Sequence, residues 1–219
     1  MERSAPRSDA ARRARRPLLA RVLAGGTDGN EQLTAVTGVV LLVLLAVLGV
    51  TILRIGQMLN THMFLGMLLL GPVALKMGTT GYRFVRYYAG NDAYRLKGPP
   101  SIELRVLAPF VVVLTVAVFA TGVALLVVGP AHRGVLGPLH KITFIVWLAA
   151  TGLHVLGHLV ELPRALAGAA RRDPSWDDHG AGRGSRALLL ASAIAGGLII
   201  ALVSESQFGV WANYHHHHG

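Results

Sequence analysis

The chain has 219 residues, of which 53% are hydrophobic and only 15% charged, with a mean hydropathy of +0.51. A soluble domain carries charge on about a quarter of its residues, so the composition excludes a water-soluble enzyme. The absence of cysteine excludes disulfides, iron–sulfur clusters, thiolate zinc sites and covalently attached c-type haem.

The apolar residues fall in runs of about 20, the length that crosses roughly 30 Å of hydrocarbon as a helix. They are too long for barrel strands, and helices satisfy their own backbone in lipid. The reading is an all-α, polytopic membrane protein: a four-helix transmembrane bundle over residues 35–162 with a fifth transmembrane helix appended.

Residues 1–34 form a basic tail with seven arginines, Arg3 to Arg21. Arg15-Arg16 lacks the apolar core and cleavage site of an export signal, so the tail reads as disordered and orienting. The first span is 35–54. A short turn, Arg54 to Asn60, leads to the second span, 61–80, which opens on His62 and carries Lys76. The loop from Tyr82 to Ser101 is basic and aromatic and ends in Gly98-Pro99-Pro100. Its tyrosines alternate with arginines, as in an interfacial belt facing anionic lipid; nucleic acid is not expected as a partner. The third span is 105–128. After the loop Gly129 to Pro138, where His132 reads as solvated, comes the fourth span, opening at Leu139-His140-Lys141 and extending to Leu162. Residues 163–185 are a polar linker, 186–204 the fifth span, and 205–219 a tail ending in four histidines. That run is either native or a purification remnant.

With the N-terminus inside, the inner segments hold 17 of the 21 Lys and Arg. The positive-inside rule then predicts a cytoplasmic N-terminus and an outer C-terminus, and it accounts for the formal charge of +10 without invoking an anionic partner. His62 and His140 fall at the same outer depth. The halves repeat weakly as helix, turn, histidine, helix: Gly49 and Gly56 match Gly122 and Gly129, and glycines seven apart allow close approach of a helix or a flat cofactor.

The fourth span carries His140, His154 and His158 on one face, with Phe144, Trp147 and Thr151 between. Ionisable residues in a span suggest function, and imidazole is a common axial ligand of haem iron. Spans two and four each supply one imidazole at matching depth, which predicts a haem held by His62 and His140. His154 lies roughly 21 Å further along its helix, a step that suits a second, stacked haem. The matching place on span two is Lys76, so three roles stay open for it: an amine ligand opposite His154, a partner for a haem propionate, quinone or anion, or a snorkelling interfacial cation. His158, one turn before Glu161, reads as half of an interfacial pair, as a proton-carrying or quinone-site residue, or as the inner ligand in place of His154. Leu69 joins Phe144 and Trp147 between the two levels.

These residues give residues 36–162 a resemblance to bacterial membrane cytochromes b of the cytochrome b561-like kind. It rests on His62, on Leu139-His140-Lys141, on His154-Val155-Leu156-Gly157-His158, and on the segment from Gly81-Tyr82-Arg83-Phe84 to Lys97-Gly98-Pro99-Pro100. The resemblance implies haem b, one or two per chain, and electron transfer in the bacterial cytoplasmic membrane, beside a redox partner such as a molybdopterin oxidoreductase. The chain then reads as an electron-transfer subunit between a quinol or inner donor and an outer partner, not as a complete enzyme. The competing reading is a haem-free transporter or scaffold that uses the in-membrane His and Lys for protons or a metal ion.

Overall fold

The structure is a computed structural model and describes residues 26–96, 102–159 and 183–218. The basic tail up to residue 25, the Lys97–Ser101 break, Glu161 and most of the 163–185 linker lie outside the described residues. In chain order the helices are α1 (Gly26–Leu53), α2 (Ile55–Tyr88), α3 (Asp92–Leu96), α4 (Ile102–Val128), α5 (Leu136–Leu159), α6 (Arg183–Val203) and α7 (Glu205–His218), with a short 3-10 turn at Pro130–His132. No strand occurs among the described residues. Five of these helices, α1, α2, α4, α5 and α6, are long and apolar enough to cross a membrane. The protein is thus an all-α, multi-pass membrane protein. Its lipid-facing surface is apolar: Val39, Val43 and Val113 are each more than half exposed, as side chains are when the surrounding solvent is hydrocarbon.

Three boundaries differ from the sequence reading. Helix α1 begins at Gly26, so residues 26–34 belong to it and not to the tail. Their polar groups are used: Asn30 Nδ2 donates to the Thr79 carbonyl, and the Thr34 and Thr37 hydroxyls donate back to Asn30 and Leu33. The turn after α1 narrows to a break at Arg54 and a non-helical Met58, with helix in between. Helix α2 continues past 80 to Tyr88 because its last turns find a partner. Tyr82 packs edge-on against Tyr94 of α3 at 6.2 Å, and Arg86 lies over the Tyr82 ring at 5.8 Å. Gly90, at φ 83°, makes the reversal between α2 and α3.

Helices α1 and α2 pack along each other, as do α4 and α5, and the two hairpins meet chiefly through α2 and α4. The fifth span, α6, lies on α2 outside these hairpins. That seam depends on glycine. A Cβ on Gly71 would collide with the Ala193 carbonyl, and one on Gly197 with the Leu68 carbonyl. Leu68 is the residue whose carbonyl loses its helical donor, because Pro72 has no N–H to give it. Gly197 lets the neighbouring backbone cover that exposed carbonyl, a contact of the small-residue kind that brings membrane helices together.

Helix α7, expected as a tail, folds back across α2 and α4. Phe208 and Trp211 enter one core with Met67, Leu126 and Ala201. Arg133 lies over the Tyr214 ring at 5.7 Å and ties α7 to the α4–α5 connection.

Candidate functional site: a cleft between two threonine-anchored histidines

Between the hairpins lies a partly open cleft of about 240 Å³. Both His62, on α2, and His140, on α5, line it. Around them the lining is apolar, with Leu48, Phe119 and Phe144 among the walls, and Trp147 and Trp211 at its sides.

Each ring is anchored by the helix that precedes its own. Thr51 Oγ1 on α1 lies 3.0 Å from His62 Nδ1, and Thr121 Oγ1 on α4 lies 3.0 Å from His140 Nδ1. The direction of these bonds follows from counting protons. The Thr51 hydroxyl is 2.6 Å from the Leu48 carbonyl, and the Thr121 hydroxyl is 2.8 Å from that of Ala117. A carbonyl only accepts, so each hydroxyl spends its single proton there. With its proton there, the threonine oxygen is placed to accept from Nδ1–H, and at His140 the Val118 carbonyl is a further acceptor. A neutral imidazole that donates from Nδ1 in this way keeps its lone pair on Nε2. Metal-binding histidines commonly give their other ring N–H to an oxygen, most often a carboxylate, backbone carbonyl or water; here a threonine oxygen stands in that place.

Glycine gives His140 its place. A Cβ on Gly122 would meet the His140 Cε1 at 3.1 Å, so the ring lies against bare backbone. Gly66 also lines the cleft, and nothing lies within 4 Å of where its Cβ would stand; that side is open to a flat occupant. Of the glycines in the sequence repeat only Gly122 is in close approach, since Gly49, Gly56 and Gly129 meet nothing within 4 Å.

Trp147 is buried and donates its Nε1–H to Thr115 Oγ1 at 2.9 Å, with the Phe144 ring 6.1 Å away. Leu69 is fully buried. The structure thus brings His62, His140, Phe144 and Trp147 together.

Lys76 and His154 are not brought together at this cleft, and neither lines it. Lys76 Nζ donates to the Thr34 carbonyl of α1 at 2.7 Å, against Gly38, where a Cβ would lie 3.0 Å from the ammonium. The ammonium is thereby solvated by backbone on the α1 side, while His154 is half-buried on α5, which packs on α4. His158 lies in the last turns of α5, and Glu161 falls outside the described residues. Among the described residues, no group of three or more His, Asp or Glu gathers in a way that would hold a bare metal ion.

The sequence reading missed Thr51, Thr121 and Trp211. A signal for the threonines was present: both halves carry a threonine near the end of the odd span, shortly before the histidine that opens the even one.

Fold and site together define a multi-pass helical membrane protein with two imidazoles facing a shared apolar cleft. No protein family, curated protein or solved structure matches the chain.

Proposed function

We propose that this protein is a membrane b-type cytochrome, holding one haem b between His62 and His140. The observation that carries this reading is the pair of threonine-anchored imidazoles on one apolar cleft. Nε2 lone pairs in an apolar cleft call for a Lewis acid. A bare divalent ion needs three or four protein ligands; a metal that arrives in a macrocycle would need only the two histidines. The open space at Gly66 and the aromatic wall of Phe144 and Trp147 suit a flat ring. Bound there, haem supplies one-electron chemistry. The chain's own residues set the iron's ligands and exclude water from the cleft.

In this reading the protein carries electrons between a quinol or inner donor and an outer redox partner, such as a molybdopterin oxidoreductase, that performs the substrate chemistry. The 17 basic residues on one set of segments support a bacterial cytoplasmic membrane with the N-terminus inside. One haem is preferred to two, since Lys76 is engaged by α1 and offers His154 no ligand partner.

The test is the oxidised and dithionite-reduced spectrum of the detergent-purified protein, with a pyridine haemochrome count. The expected result is one haem b per chain, lost in His62→Ala and in His140→Ala. A colourless protein after expression with ample haem overturns the reading and favours the haem-free transporter or scaffold.

A further inference from the structure

Helix α2 runs past the apolar part of its span, and its last turns carry a patch that the cleft does not use. Charge returns at Arg83 and Arg86, which marks where a helix leaves hydrocarbon for the headgroup layer. Around them large apolar side chains stay open: Phe84, Val85 and Tyr88 are each more than half exposed, and so is Leu96 on α3. The rings lie against one another, Phe84 to Tyr88 at 4.5 Å and Tyr87 to Tyr88 at 5.2 Å. At about 100° per residue, Arg86, Arg83, Tyr87, Phe84 and Tyr88 follow one another around the helix. Arg95 of α3 lies at the turn between the two helices, its guanidinium 3.5 Å from where a Cβ on Gly90 would stand.

The three arginines are open to an anion. Arg86 and Arg95 are exposed, and Arg83 is half-buried. Arg86 lies over the Tyr82 ring. Among the described residues none of the three forms an ion pair, although Asp92 opens the same short helix as Arg95. A guanidinium fork matches phosphate oxygens, and aromatic rings favour the membrane interface. We infer that the end of α2 and the turn into α3 bind an anionic phospholipid. Its headgroup phosphate lies on Arg83, Arg86 and Arg95, and the Tyr87, Phe84 and Tyr88 rim lies against its glycerol and upper chains. This site is independent of what fills the cleft.

The experiment titrates the delipidated full chain in detergent with phosphatidylglycerol and with phosphatidylcholine, counting bound lipid by native mass spectrometry. An arginine near an anionic lipid contributes about fivefold in affinity. The triple variant Arg83→Gln, Arg86→Gln, Arg95→Gln should therefore lose roughly 100-fold for phosphatidylglycerol and little for phosphatidylcholine. A control with Arg54→Gln, Arg133→Gln and Lys141→Gln removes the same charge from the other end of the bundle, and should stay within about twofold of the wild type. An excess of inorganic phosphate should not displace the lipid, because it brings nothing for the aromatic rim to hold. A first variant that loses no more than the control, equal binding of the two lipids by the wild type, or displacement by inorganic phosphate overturns the inference. Should the triple variant fail to fold, Arg95→Gln alone decides. It lies on α3, outside the spans, and should cost about fivefold; wild-type affinity there overturns the site.

Discussion

Thr51→Val gives the sharpest test of the paired-histidine site. Valine has nearly the shape of threonine, so packing is kept while the hydroxyl is lost. Thr51 is fully buried, and its oxygen is the acceptor of His62 Nδ1–H at 3.0 Å. Removing it leaves a buried N–H unsatisfied, at a cost of about 1–3 kcal/mol. If the ring turns to find another acceptor, Nε2 leaves its position. Either way haem affinity should fall, by about 10–100-fold, the usual effect of deleting the outer partner of a metal-binding histidine. The reduction potential should rise as well, because an imidazole that no longer donates from Nδ1 is a poorer electron donor and stabilises ferric iron less. Thr51→Ser should restore both. The assay is a Soret titration of apo-protein together with a redox titration followed at the α-band. Thr51→Val with wild-type affinity and potential would refute the reasoning, since the hydroxyl would then do nothing for the ring.

Thr121→Val should show the same changes more weakly, because the Val118 carbonyl also lies within hydrogen-bond reach of the His140 ring and remains as an acceptor; the same titration compares the two. Gly122→Val should displace the His140 ring, whose Cε1 would lie 3.1 Å from the new Cβ, and the reduced spectrum should lose its six-coordinate form. Lys76→Met should leave haem content unchanged, and thermal stability in detergent within about 1 kcal/mol, since a hydrogen bond to Thr34 is lost together with the cost of a cation in the span. A large loss of haem in Lys76→Met would place the ammonium on the cofactor instead. Gly197→Leu should part α6 from α2, read as a lower unfolding temperature and faster proteolysis between the fourth and fifth spans.

The spans were legible because hydrophobicity and length decide them with little competition in lipid. That His62 and His140 come together on one cleft was legible too, since each opens an even span and so falls near the same end of its helix. The threonine anchors were harder to read. Each partner sits across a helix interface, and which face of α1 meets α2 depends on packing that period alone does not give; both α1 and α4 are apolar around their whole circumference. Pro72 did not end α2 as it would end a soluble helix, because Gly197 of a neighbour covers the carbonyl it strands. Helix α7 escaped notice because its composition is mixed. Phe208 and Trp211, three apart, form a single short apolar stripe, and only the groove between α2 and α4 makes that stripe worth burying.

The position of Trp211 also sets a timetable. The two histidines and their threonines come from the first two hairpins, but this wall of the cleft comes from α7, which follows the last span. Because α7 follows α6 in the chain, this side of the cleft is covered only after α6 has been made. The cleft is therefore finished late, by the segment made last of those that line it. If the cleft holds a prosthetic group as proposed, its loading is coupled to the folding of α7 in time as well as in space.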